Sequence, residues 1–206
     1  MIIVFGNQKG GAGKSTLAML FSNYISLINK TKAIILDMDY QRSILSQYEE
    51  ERILDNPELY EVIGVDLDTF PEIIDMLREN KDLSIIVDLP GKIDDDALIP
   101  VIQAADVFVI PFEYEKKSYQ STLLFDMITK ELNPGAKKVF IPNRLKTSVN
   151  YSLAKGINEE FQNNGILTKP LSDRIAFQRI TTRHIPSELL PLIKPVFESI
   201  TTVANE

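Results

Sequence analysis

Short, almost wholly apolar runs alternate along the chain with longer stretches whose apolar residues repeat at helical spacing. The apolar runs fall at residues 2–5, 33–36, 83–87, 107–110 and 139–142, and many of their side chains are β-branched. A strand covered on both faces reads this way, because neither of its alternating sides meets water. Amphipathic segments at 14–28, 70–80, 95–105, 118–132 and 151–163 are long enough for helices. Strand and helix in alternation imply right-handed crossovers and hence an α/β fold, a doubly wound, mostly parallel sheet with helices on both faces. Two more helices are expected at 173–182 and 187–203. Pro191 and Pro195 within the second predict a break or kink, since proline gives up a helical hydrogen bond. No linker, repeat or low-complexity stretch divides residues 1–206, so a single domain is expected.

Composition narrows the function without choosing it. An apolar fraction of 44% with 25% charged residues is that of an ordinary globular protein, and no run approaches the ~18 apolar residues a membrane helix needs. Residues 1–6 lack the basic lead and cleavage site of a signal peptide and read as a strand, so a cytoplasmic protein is expected. The absence of cysteine excludes disulfides, thiolate metal sites, iron–sulfur ligation and cysteine nucleophiles. A net charge of −7 argues against a nucleic-acid binder, but it is unevenly spread. Residues 1–129 hold 11 Lys+Arg against 22 Asp+Glu, whereas residues 130–206 hold 11 against 7. Such asymmetry is compatible with a basic face on an acidic protein and equally with scattered surface charge.

The densest chemistry lies between the first expected strand and the first expected helix, in Gly6-Asn7-Gln8-Lys9-Gly10-Gly11-Ala12-Gly13-Lys14-Ser15-Thr16. Gly6 stands two residues further from Gly13-Lys14-Ser15 than the strict phosphate-loop pattern asks, so that pattern is met loosely. Its physical parts are nevertheless present. The glycines let backbone amides approach phosphate oxygens, and the helix start adds its positive dipole end. Lys14 supplies a point charge to the β and γ phosphates, while Ser15 offers a hydroxyl to Mg²⁺. Residues Gly10, Gly11, Ala12, Gly13, Lys14, Ser15 and Thr16 are therefore the expected nucleotide cradle of a P-loop NTPase fold. A second acidic signal follows the run at 83–87. An apolar strand ending in Asp88 is the pattern that holds Mg²⁺ directly or through water.

The stretch Lys9-Gly10-Gly11-Ala12-Gly13-Lys14-Ser15 resembles the deviant phosphate loop, K-G-G-x-G-K-S/T, of the ParA/MinD class of ATPases. The resemblance implies ATP/ADP and Mg²⁺ as cofactors, and a nucleotide-dependent homodimer that sandwiches two ATP molecules. Lys9 would reach across to the partner's nucleotide, a cation supplied in trans that can be worth ~10³–10⁵ in rate. Leu36-Asp37-Met38-Asp39-Tyr40-Gln41 is similar to the class's D-x-D-P-Q segment. By that likeness Asp39 orients the attacking water and Asp37 supports the Mg²⁺ shell. Tyr40 stands where proline is usual. Pro90-Gly91 resembles the start of the switch that senses the γ-phosphate, and Asn143, in Pro142-Asn143-Arg144, matches the asparagine that reads adenine. The segment at 171–179 looks like the late element flanking the nucleotide.

Missing features choose among branches of the class. Cluster-carrying members need cysteines, and membrane-bound members end in a basic amphipathic helix, whereas residues 193–206 hold one lysine and no arginine. No membrane partner is therefore expected. With Met1 opening on the first strand, the chain looks most like the short partition ATPases without an N-terminal helix-turn-helix. That resemblance implies segregation of DNA with a centromere-binding partner protein, slow hydrolysis stimulated by it, and nonspecific DNA binding that places the ATP-bound form on the nucleoid. Arg174, Arg179, Arg183 and Lys194 are the candidate DNA contacts, with Lys137 and Lys138 as alternatives. His184, the only histidine, is expected to be structural. Two rivals stay open: a membrane-recruited MinD-like spatial regulator, and an ATP-dependent ligase similar to dethiobiotin synthetase.

Overall fold

The computed structural model describes residues 1–53, 56–91 and 96–205. Seven strands form one sheet: β1 (Ile2–Phe5), β2 (Lys32–Asp37), β3 (Glu61–Gly64), β4 (Leu83–Asp88), β5 (Val107–Phe112), β6 (Lys137–Pro142) and β7 (Ile166–Leu167). They lie in the order β3-β2-β4-β1-β5-β6-β7, and every pairing is parallel. Between them run α1 (Lys14–Leu27), α2 (Ser43–Glu50), α3 (Phe70–Arg78), α4 (Ile99–Ala104), α5 (Lys116–Leu132) and α6 (Ala154–Asn164), and α7 (Leu190–Asn205) closes the chain. The doubly wound α/β architecture expected from the alternation is the one observed.

Period-two alternation divides the core between the two faces of the sheet. Ile3, Phe5, Ile35, Ile86, Val109 and Ile141 pack on one side against Leu17 and Phe21 of α1 and Val196 and Phe197 of α7. Their neighbours Ile2, Val4, Leu36, Val87, Phe108 and Phe140 pack on the other against Phe70 of α3, Val101 of α4, Phe125 of α5 and Phe161 of α6. Phe21 meets Phe197 edge-on at 5.3 Å, and Phe140 stacks on Phe161 at 4.5 Å.

Some expected elements are corrected. The helix expected at 173–182 is only a 3-10 turn, Ile175–Gln178. Ser172 bridges to Leu145 and Arg174 is extended (φ −140, ψ 142), so helical backbone cannot begin before Ile175. The helix expected at 187–203 runs unbroken through Pro195 as α7. Pro191 sits in its first turn, where no amide bond is lost, and burial of Ile193, Val196, Phe197, Ile200 and Val203 holds the helix past Pro195. The segment expected at 95–105 becomes a 3-10 turn, Asp96–Leu98, followed by α4; its first residue lies outside the described residues. Among the described residues, no helix is long and apolar enough to cross a membrane.

Candidate functional site

The order of the strands leads each chemical residue to the carboxyl edge of the sheet, where open parallel sheets bind ligands. There β1, β2 and β4 lie side by side, with Phe5 opposite Asp88 and Asp88 opposite Asp37. The chain leaves β1 into the glycine loop, and α1 begins at Lys14. Gly11 (φ 78) and Gly13 (φ 95) adopt left-handed backbone that side chains disfavour. At Gly13 a Cβ would also collide with the Asn143 side-chain amide. Gly6 does something else. It is buried, and a Cβ there would strike the ring of Phe125 on α5, so this glycine serves packing rather than phosphate. That explains why the loop departs from the strict spacing.

A cavity of about 860 Å³ opens above the loop, within the range of small-ligand sites. One wall is Gly10, Gly11, Gly13, Lys14, Ser15 and Thr16. The loop after β2 contributes Asp39 and Tyr40, the loop after β4 contributes Pro90 and Gly91, and the far wall holds Asn143, Arg144, Arg174 and Phe177. Ala12 is fully buried beneath this surface. Lys14 is buried too, and a Cβ on Gly91 would lie 3.8 Å from its ammonium.

Asp88 and Asp37 are both fully buried beside this cavity. Neither Asp88 oxygen has a partner of hydrogen-bond geometry among the described residues. Burial pushes its carboxyl up to about 7, against the opposing pull of the nearby Ser15 hydroxyl and Lys14 charge. An unpaired buried carboxylate beside a serine hydroxyl is a site that a divalent cation would satisfy. Among the described residues no cluster of three or more His, Cys, Asp or Glu could hold a metal alone.

Asp37, expected to support the metal shell, is engaged by backbone amides. Its Oδ2 accepts the amides of Ile44 and Leu45 at 3.0 Å each, and its Oδ1 accepts the amide of Asp39 at 3.2 Å. Burial raises its carboxyl, while those backbone bonds and the Arg42 charge pull it down. Asp37 thus caps α2 from six residues upstream of that helix, where Arg42, the residue at the cap position, offers no side-chain bond. The effect is to hold Asp39 at the cavity. Asp39 Oδ1 accepts the Gln41 amide at 3.0 Å.

Other expected residues are scattered. Asn143 is buried and donates to the Ala12 carbonyl at 2.8 Å, so one of its amide N–H groups fastens the phosphate loop. Lys9 is off the cavity wall, paired with Glu113 and Glu115. Arg179 and Lys194 are exposed, Lys194 beside Glu198 at 3.8 Å, and Arg174 is exposed on the cavity rim. Arg183 is removed as a surface contact. Its side chain is 1% exposed, 3.5 Å from Glu58 and stacked 5.4 Å over the Tyr48 ring. Lys138 is buried against Asp126 at 2.6 Å, and Lys137 donates to the Val203 carbonyl.

Three residues escaped the sequence reading. Arg42 (φ 47) donates to the Asp37 and Val65 carbonyls and pairs with Asp66, pinning the loop after β2 to the end of β3. Asn7 donates to the Pro111 carbonyl at 2.8 Å and to Thr122 at 2.9 Å, fastening the loop to α5. Glu113 faces both Lys9 and Arg144. None has a local signature, since the partners that give each its role, apart from the nearby Asp37 carbonyl, are distant in sequence.

Residues 3–187 match the family described as the CobQ/CobB/MinD/ParA nucleotide binding domain. Maintenance of carboxysome distribution protein A of Gloeobacter kilaueensis is 34% identical over 113 residues, 53% of this chain and 48% of that protein. The chain therefore matches only about half the length of that relative. A putative plasmid partition protein of Borrelia burgdorferi B31, solved bound to AMPPNP, superposes with a TM-score of 0.76 at 21% identity over 98% of both chains. The structure of pNOB8 ParA bound to nonspecific DNA gives 0.65 at 15% identity over 98% of this chain and 96% of that one. At these identities the superpositions establish the shared fold.

Proposed function

This chain belongs to the CobQ/CobB/MinD/ParA nucleotide-binding family, and from that premise we propose that it is a ParA-like partition ATPase. It binds Mg-ATP, pairs face to face with a second copy, binds DNA without sequence preference, and is reset when a centromere-binding partner stimulates hydrolysis. One observation carries the nucleotide half: Lys14, Ser15 and the unpartnered Asp88 converge under a glycine loop at the carboxyl edge of the sheet. Lys14 neutralises the β and γ phosphates, and the loop amides with the α1 dipole orient them. Ser15 and Asp88 would hold Mg²⁺, whose charge would stabilise the developing phosphoryl oxygens. Asp39, fixed by the Asp37 cap, directs water at the γ-phosphate. Lys9 of the second copy adds positive charge where the transition state spreads its negative charge.

The DNA half is supported by the basic final third of the chain, by the exposure of Arg174, Arg179 and Lys194, and by likeness to a ParA solved on nonspecific DNA. The match to a carboxysome-distribution protein favours a second reading of the cargo, a protein body carried by the same DNA-bound cycle. The decisive experiment measures binding to mixed-sequence DNA and to anionic vesicles with ATP and with ADP, at two salt concentrations. ATP-dependent DNA binding that weakens steeply with salt, absent in Lys14→Ala, supports the proposal. Binding to vesicles alone would favour a MinD-like regulator. No DNA binding in any nucleotide state would favour an ATP-dependent ligase.

A further inference from the structure

Lys9, the residue whose proposed work lies on another chain, is bound at three points to its own. Its amide donates to Asn7 Oδ1 at 3.1 Å, and Asn7 is fastened to Pro111 and Thr122. Its ammonium lies 3.3 Å from Glu113 Oε2 and 3.3 Å from Glu115 Oε2. Both glutamates stand between β5 and α5, and the Glu113 amide is fixed by the Ser118 hydroxyl at 2.9 Å. The other Glu113 oxygen faces Arg144 at 3.9 Å, and Arg144 donates to the Gly11 carbonyl at 2.7 Å. Two cations and two anions thus form a chain, Glu115–Lys9–Glu113–Arg144, beside the phosphate loop.

We propose that Glu113 and Glu115 form a latch that holds Lys9 in cis, and that pairing with a second, ATP-loaded copy must break it. This inference rests on the trans role of Lys9 in the function proposed above. A lysine between two carboxylates is already neutralised, so an approaching copy gains little from it unless that copy presents a stronger anion. A triphosphate is such an anion. Competition between the glutamates and the partner's phosphates therefore makes dimerisation conditional on ATP. The contacts suit a latch because they can open. Lys9 is 24% exposed, Glu113 17% and Glu115 62%, and pairs as open to solvent as these shift an equilibrium only a few-fold. Two protomers must each release one lysine to make one dimer, so a loss of roughly threefold per protomer becomes roughly tenfold in the dimer Kd.

The test is ATP-dependent dimerisation by sedimentation for the wild type, Glu115→Gln and Glu113→Gln/Glu115→Gln, each with Lys9 intact and as Lys9→Ala. With Lys9 intact, the double variant should dimerise about tenfold more tightly in Mg-ATP and the single variant about threefold, with KM for ATP unchanged. In the Lys9→Ala background the glutamine substitutions should have no effect, which a merely structural role would not produce. If the wild type dimerises with ATP and the double variant does so equally or less well, the latch is overturned and the proposed function stands. A wild type that stays monomeric in ATP overturns both.

Discussion

The ends of β2 and β4 look alike and behave oppositely. Each is an apolar strand finishing in an aspartate, the two carboxylates face each other across one rung of the ladder, and both are fully buried. Asp37 accepts three backbone amides and serves as the cap of α2. Asp88 accepts none, and burial lifts its carboxyl to about 7. Burial alone thus says little about purpose. A buried carboxylate whose lone pairs are used is part of the scaffold, and one whose lone pairs are idle carries a cost that a ligand can relieve.

That contrast breaks first at Asp88. We expect Asp88→Asn to lower Mg-ATP turnover by about 10³-fold, the scale of losing one cation or oxyanion stabiliser. Measured by urea unfolding without Mg²⁺, the same variant should be at least as stable as the wild type, because a buried unpaired charge is gone. Equal turnover in the variant and the wild type would return Asp88 to the scaffold. Asp37→Asn should do the reverse. One acceptor oxygen becomes a donor facing amide donors, costing about 2–3 kcal/mol of stability. Turnover per folded molecule should fall far less than at Asp88, and a larger fall would place Asp37 in the cation shell after all.

The same pair marks where the sequence was readable. The glycine loop was legible because phosphate binding needs its residues adjacent, and the paired apolar faces were legible because alternation is local. The roles of Asp37 and Asp88 were not separable, since the amides that engage Asp37 come from Ile44 and Leu45 on the next element. β3 and β7 were missed for a related reason. Glu61–Gly64 begins in a charge, and Ile166–Leu167 is two residues long, so both depend on a neighbouring strand to be strands at all. Arg183 read as a surface cation because nothing nearby in sequence announces Glu58 and Tyr48.

Arg42 sharpens the β2 side. Its guanidinium joins the Asp37 and Val65 carbonyls to Asp66, and it is partly exposed, so Arg42→Ala should cost about 1 kcal/mol. The loss should appear in unfolding and only weakly in KM for ATP. A KM rise of tenfold or more would mean that the loop it pins contacts nucleotide directly.

The smallest effect is expected at Tyr40, where the family usually has proline. The Arg42 amide donates to the Asp39 carbonyl at 2.9 Å, which closes a turn with Tyr40 as its second residue. That is the position at which proline's fixed φ suits a turn, and the Tyr40 amide makes no hydrogen bond among the described residues. The ring is 76% exposed at the cavity mouth, so little packing is lost with it. Tyr40→Pro should therefore stabilise the fold by about 0.4–1 kcal/mol through the unfolded chain. Turnover should stay within about threefold of wild type, because Asp39 is held by the Asp37 and Gln41 contacts rather than by Tyr40. A destabilised variant would show that the turn needs a φ proline cannot adopt. A variant of normal stability with turnover down tenfold would show that the phenol itself works at the cavity, and that the β2 end contributes chemistry as well as scaffold.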